Sequence, residues 1–236
     1  MKLKYLCLSL GLISCLNPLL AEDSAEKAFT RVYEKGEWGR DEKGRGISGS
    51  GSTVTNAAFY IVYLQNFLKS NEIRSVVDVG CGDWSLSKNL NWENVSYTGI
   101  DVVKDVIERN TAGYSAPNVK FLCGDILTMN LPSADLLICK DVLQHLPNDK
   151  VQQFLKQTRN FKHCLITNDV DPNTWTSANP QITIGDWRPI DLTKPPFNVK
   201  GTKVYTYRSG YVLKQVLYIK NTDWLETLMS DLTSPY

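Results

Sequence analysis

The sequence has almost no net charge: 26 Lys and Arg stand against 25 Asp and Glu in 236 residues. A protein held on nucleic acid by charge carries a basic excess or stripe, and this chain carries neither. Histidine is scarce, with His145 and His163 alone, and no two cysteines stand at metal-ligand spacing. A zinc site therefore has no ligand set, and no metal is expected. The N-terminal apolar run is shorter than the about 20 residues a membrane span needs, so no span is expected in the mature chain. Internal repeats and low-complexity tracts are absent. Charged residues make up 22% and hydrophobic ones 42%, which excludes a disordered polyelectrolyte because enough apolar surface is available to offset ordering entropy. The length suits one sizeable core.

What is present begins with an unusual N-terminus. Met1-Lys2-Leu3-Lys4 is basic, Tyr5 to Ile13 is largely apolar, and Pro18 precedes Leu19-Leu20-Ala21 and the acidic Glu22-Asp23. This order reads as a secretory signal peptide over 1–21, cut after Ala21, and predicts export to the periplasm, the extracellular space or a host. A lipoprotein signal at Leu12-Ile13-Ser14-Cys15 is the weaker alternative, because apolar Leu16, Leu19 and Leu20 would follow the lipidated cysteine. Residues 22–70 read as an N-terminal cap and helix, and 71–236 as the main domain. Cys81, Cys123, Cys139 and Cys164 fall in or beside apolar runs and read as small buried hydrophobes.

From Val76 onward, short β-branched runs alternate with helical or loop segments, the pattern of a parallel sheet covered on both faces. Strands are predicted at Ser75–Val79, Ser96–Ile100, Val119–Cys123, Asp135–Cys139 and Cys164–Thr167. Helices are predicted around Leu86–Leu90, Val103–Asn110 and Lys150–Arg159, with Thr53–Leu68 as an amphipathic helix against the sheet edge. Asn168 to Lys200, with five prolines and two tryptophans, reads as a long ordered or lid-like loop. Lys203–Arg208 and Tyr211–Ile219 read as an antiparallel hairpin, and Asp223–Met229 as a terminal helical turn.

The segment Val76-Val77-Asp78-Val79-Gly80-Cys81-Gly82-Asp83-Trp84 carries most of the chemistry. An apolar strand runs into two glycines one residue apart, which permit a tight turn and close approach of backbone N–H groups to a ligand. A dinucleotide fingerprint would want glycine at position 85, where Ser85 stands. This sequence resembles the class I S-adenosylmethionine-dependent methyltransferases, a small bacterial branch, whose first motif is Asp/Glu-x-Gly-x-Gly. Tyr97-Thr98-Gly99-Ile100-Asp101, Phe121-Leu122-Cys123-Gly124-Asp125-Ile126 and the run from Asp135 to Pro147 follow at the matching intervals.

The resemblance implies an α/β fold: a doubly wound, mostly parallel seven-stranded sheet, Rossmann-like, with an antiparallel C-terminal hairpin. It implies S-adenosyl-L-methionine as cofactor, held by Asp78, Gly80, Cys81, Gly82, Asp101, Val102, Asp125, Ile126 and Lys140. Asp101 would accept hydrogen bonds from the ribose, Asp125 would meet the adenine amino group, and Ile126 would pack on its ring. Asp141 and Asp169 are the acids expected to take a proton from an acceptor. Trp187, Arg188 and His145 are the expected substrate-binding residues, the first two offering a stacking face and a fixed cation. Tyr33 to Trp38 followed by Ser48-Gly49-Ser50-Gly51-Ser52 reads equally as an anion nest or lid over the methionine carboxylate and as a flexible linker, and Trp84 as a cofactor cover or a packing residue. The acceptor is expected to be a small molecule or a protein. The alternative is a secreted, methyltransferase-like binding protein without turnover.

Overall fold

The computed structural model describes residues 24–170 and 179–224. Seven strands form one sheet: β1 (Ser75–Val79), β2 (Ser96–Asp101), β3 (Val119–Cys123), β4 (Leu136–Lys140), β5 (His163–Val170), β6 (Thr202–Ser209) and β7 (Val212–Lys220). Their order is β3-β2-β1-β4-β5-β7-β6. The first five pair in parallel, β7 runs antiparallel to β5, and β6 antiparallel to β7. The doubly wound sheet and hairpin expected from the sequence are both present. The chain winds outward from β1 to β3 and then returns to the other side of β1 as β4, so a crevice opens between the ends of β1 and β4.

Four helices, α1 (Ala25–Lys35), α2 (Val54–Ser70), α3 (Lys104–Tyr114) and α4 (Asn148–Leu155), accompany the sheet. Val76, Val77 and Val79 of β1 and Leu136, Leu137 and Ile138 of β4 are all buried, as continuous apolar runs in a sheet covered on both faces must be. On one face, Val151 and Phe154 of α4 share a core with Val77, Leu137 and Ile166. On the other, Tyr60, Leu64 and Leu68 of α2 share a core with Val76, Leu136, Leu165 and Val216. The helix packs at the sheet edge as expected, Tyr60 and Tyr63 stacking on Tyr207 and Tyr205 of the edge strand β6, and it reaches inward as well, with Lys140 of β4 over the Tyr60 ring.

Several boundaries differ from the sequence reading for identifiable reasons. Leu86–Leu90 forms only a 3-10 turn at Ser87–Asn89. There Asn89 Nδ2 bonds to Ser85 O and Leu86 O, and Trp92 Nε1 bonds to Ser87 O, so side chains take carbonyls that a helix would use. Asp135 stands outside β4, its carboxylate accepting from the Arg74 and Ser75 amides and the Ser75 hydroxyl. β5 runs on to Val170, so Asp169 lies within a strand. Cys139 and Cys164 are buried, but Cys123 is exposed, contrary to its expected burial, because β3 is an edge strand. The expected N-terminal signal, residues 171–178 of the long loop and the part of the expected helical turn from 225 onward lie outside the described residues. Residues 179–200 contain no regular element, yet Asn179 ties them together by bonds to Asp191 O, Asp191 N and Pro195 O.

Candidate active site

The carboxyl ends of β3, β2, β1 and β4 open, in that spatial order, onto a cavity of about 760 Å³ counting its mouth. After β1, Gly80 and Gly82 adopt φ of 67° and 55°, the left-handed region that glycine enters without strain. A Cβ on Gly80 would come 2.3 Å from Val142 Cγ2, and one on Gly82 would come 2.2 Å from Ser48 Oγ. Both positions thus need glycine for space as well as for conformation.

Asp101 ends β2 at the lip of that turn. Its Oδ2 accepts from Gly82 N at 3.0 Å and its Oδ1 from Val103 N at 3.0 Å. Burial pushes its pKa up, against the pull of those amides. At the end of β3, Asp125 Oδ1 accepts from Leu127 N at 2.8 Å, and Asp125 and Ile126 line the cavity, as do Cys81 and Val102.

Beyond β4 the site is charged and crowded. Lys140 Nζ donates to Gly51 O at 3.1 Å and to Asp141 Oδ2. Lys214, 3% exposed on β7, donates to Asp141 Oδ1 at 2.8 Å and to Asp169 Oδ1. Burial alone would raise the Asp141 pKa, but the two ammonium groups outweigh it and hold it at about 2. Burial likewise opposes the charge on Lys214, yet its two carboxylates raise its pKa above the usual value. Asp169 also accepts from Trp187 Nε1 at 3.0 Å and Gln144 Nε2 at 3.3 Å, while its amide donates to Gln144 Oε1 at 2.8 Å. His145, in the 3-10 turn Leu143–His145, lines the cavity, and its Nδ1 lies 2.9 Å from Asp186 O. Burial lowers its pKa.

A roof closes over these strand ends. Ala25, Phe29 and Tyr33 on the inner face of α1, with Trp38, Ser48 and Ser52, line the cavity from above. Tyr33 OH lies 2.8 Å from Ser48 Oγ, Asp83 N donates to Ser48 Oγ at 2.7 Å, and Ser48 N donates to Asp83 Oδ2 at 3.1 Å. This clasp seats the roof on the glycine turn. The roof helix was not expected from the sequence. Its signals were nevertheless there: Ser24 caps it by accepting from Lys27 N, Gly36 closes it at φ 63°, and Ala25, Ala28, Val32 and Tyr33 form its buried stripe.

Five assignments made from the sequence change. Asp78 does not line the main cavity: its carboxylate turns to Tyr97 OH at 2.6 Å and Ser87 Oγ at 3.1 Å, on the wall of a smaller neighbouring cavity. Arg188 is 2% exposed, and its guanidinium bonds to Leu143 O, Leu146 O and Asn148 Oδ1, so it braces the turn bearing His145 and does not line the cavity. Trp187 is 51% exposed and lies off the cavity wall, anchored by Asp169. Asp169 is itself buried away from the wall, and Asp141, on the wall, is held as a carboxylate by two lysines, which makes it a weak proton acceptor. Trp84 packs on Tyr97, Tyr114 and Phe121 and covers no part of the cavity. Ser48, Ser52 and the backbone at Gly51 belong to the site, so the Gly/Ser stretch is no free linker. Phe29, Gln144 and Lys214 were missed. Lys214 carried no signal, being a lone lysine in a strand.

This sheet order and the crevice at β1 and β4, with an acid at each of three strand ends, form the Rossmann-like fold seen in class I S-adenosylmethionine-dependent methyltransferases. Residues 76–161 match the family described as Methyltransferase domain. Over 79 residues, 32% of this chain, it is 33% identical to the ubiquinone biosynthesis O-methyltransferase of Coxiella burnetii, and 34% of that relative is covered. An uncharacterized methyltransferase of Mycobacterium tuberculosis is 30% identical over 77 residues, 32% of this chain and 39% of that one. The chain thus spans about a third of the length of the curated relatives it matches. Among solved structures, the fold resembles the N-methyltransferase NodS of Bradyrhizobium japonicum in complex with S-adenosylhomocysteine, with TM-score 0.55 and 15% identity over 71% of this chain and 88% of that one. It also resembles the magnesium protoporphyrin IX methyltransferase of Synechocystis with bound S-adenosylmethionine, with TM-score 0.58 and 12% identity over 86% and 99%.

Proposed function

We propose that this chain binds S-adenosyl-L-methionine in the main cavity and transfers its methyl group to a small-molecule or protein acceptor. The observation that carries the reading is the fixed Asp101 carboxylate, held by the amides of Gly82 and Val103 at the lip of the glycine turn. A carboxylate so placed accepts from paired ribose hydroxyls through charge-assisted bonds. Asp125 and Ile126, at the end of β3, suit the adenine edge and face. The glycine turn and Lys140 suit the amino-acid end, which puts the methyl group toward the turn after β4.

When bound, the cofactor supplies a methyl group on a cationic sulfur. The work left to the chain is to orient that group, exclude water and accept a proton where the acceptor carries one. The aromatic roof serves the second task. Residues 1–21 have the sequence of an export signal, so the reading extends to an exported enzyme. Among the described residues no helix is long and apolar enough to cross a membrane.

Calorimetric titration of the folded chain with S-adenosylhomocysteine tests the cofactor reading, and absence of binding would remove it. Incubation with labelled cofactor and extracts of small molecules or proteins then separates transfer from mere binding. The mass of the chain recovered from the exporting cell, compared with that of a chain beginning at Glu22, tests the signal.

A further inference from the structure

The strand ends fix which group can take a proton. The cavity runs from Asp125 at β3 past Asp101 and the glycines to Asp141 and His145 beyond β4. At that last end the carboxylate is neutralised by Lys140 and Lys214. It therefore neither attracts a cationic amine strongly nor accepts a proton near neutral pH. His145 is different. Its Nδ1 faces the Asp186 carbonyl oxygen, which can only accept, so Nδ1 carries the ring proton and Nε2 keeps its lone pair. The ring is locked from several sides. Trp38 lies 5.1 Å away between centroids and Phe29 6.5 Å, Gly185 N donates to the His145 carbonyl, and the Arg188 guanidinium holds the carbonyls of Leu143 and Leu146 on either side. Phe29, Trp38, Val142 and Leu146 give this end of the cavity an apolar, ring-faced lining.

Resting on the cofactor reading above, we propose that the acceptor atom is a hydroxyl oxygen on an uncharged, ring-bearing small molecule, and that His145 Nε2 takes its proton. A lone pair of the hydroxyl oxygen forms the new oxygen–carbon bond. The methyl–sulfur bond breaks with its electron pair staying on sulfur, which leaves a neutral thioether. The hydroxyl proton passes to Nε2 and leaves His145 as an imidazolium. The charged groups acting on the ring are Asp141 and Asp169, which favour that imidazolium, and Lys214, which opposes it. An amine acceptor would call for an uncompensated carboxylate at this wall. Asp141, the carboxylate on the wall beyond β4, is compensated.

The test uses the full chain loaded with S-adenosylhomocysteine, and catechol and benzylamine as ring probes with and without the hydroxyl. The chain has two histidines, so the His145 ring signals can be assigned by NMR with a His163→Gln variant. Catechol is expected to shift the His145 signals saturably and to bind at least about tenfold more tightly than benzylamine, as one well-placed hydrogen bond allows. With S-adenosylmethionine, methyl transfer to catechol is expected, and His145→Gln is expected to lower it by about 100-fold or more while S-adenosylhomocysteine affinity stays unchanged. Tighter binding of benzylamine, failure of both probes to perturb His145, or transfer that survives His145→Gln would each overturn the proposal. Failure to bind S-adenosylhomocysteine would instead overturn the cofactor reading beneath it.

Discussion

Lys214 Nζ stands 2.8 Å from Asp141 Oδ1, although 73 residues of chain separate the two. The antiparallel pairing of β7 with β5 places Lys214 opposite Asp169, which it also bonds, so one ammonium holds two carboxylates together. Lys214→Met leaves that pair of acids facing each other with one cation fewer. Removing one partner of a buried ion pair costs about 3–5 kcal/mol, and urea unfolding at neutral pH is expected to show a loss of that order. A loss below about 1 kcal/mol, the range of exposed pairs, would show that the acids are hydrated in solution.

Asp101→Ala is expected to weaken S-adenosylhomocysteine binding by about 1.5–3 kcal/mol, the value of hydrogen bonds to a charged group. The same change frees the Gly82 and Val103 amides, so circular dichroism and thermal melting should accompany the calorimetry. Unchanged affinity in a folded variant would remove Asp101 from the cofactor site.

Asp78 and Asp141 respond to pH in opposite directions. Burial raises the Asp78 pKa from 3.8 to about 6, against the pull of Tyr97, Ser87 and Lys140. The folded chain therefore binds a proton more readily than the unfolded one, and this residue makes stability fall as pH rises from about 4 to about 6. Asp78→Asn can keep the bonds from Tyr97 and Ser87 without the charge. It is expected to raise Tm at pH 7.5 and to lose that advantage by about pH 4. Asp141, held at about 2, contributes stability that is present above 3.8 and lost as pH falls toward 2. A Tm difference for Asp78→Asn that is independent of pH would contradict the assignment.

Gly82→Ala puts a Cβ 2.2 Å from Ser48 Oγ at a φ of 55°. It is expected to unseat the clasp of Tyr33, Ser48 and Asp83 and to abolish cofactor binding. Adding Ser48→Gly removes the clash but not the backbone strain. Ser48→Gly alone also removes the clasp and is the reference: a double variant that binds as Ser48→Gly does would identify the steric contact as the larger fault, and one that binds more weakly would identify the backbone.

The glycine turn and the strand-end acids were legible because each is local: a strand, a turn and an acid within a few residues, repeated at the intervals the sheet demands. Residues whose roles depend on distant partners were not. Arg188 beside an aromatic looks like an exposed cation until its guanidinium is seen to meet the carbonyls around His145. Asp78 sits in the same motif as the glycines, but the pleat turns its side chain toward Tyr97. Asp141 reads as a base from its position alone, and only the arrival of Lys214 from β7 makes it a poor one.

The roof also bears on how the chain is made. Residues 24–52 leave the ribosome before any of the strand ends they cover, and Gly51 waits 89 residues for Lys140. Lys214 arrives later still, so Asp141 and Asp169 emerge and pair with water before their shared cation exists. Closing such distant contacts carries a loop-closure entropy that slows folding. A fragment cut to residues 76–161 would carry the glycine turn and three of the strand-end acids, but neither the cover over the cavity nor the lysine that settles its charge. A fragment with both the cover and that lysine must run from α1 through β7 and so takes in the whole sheet.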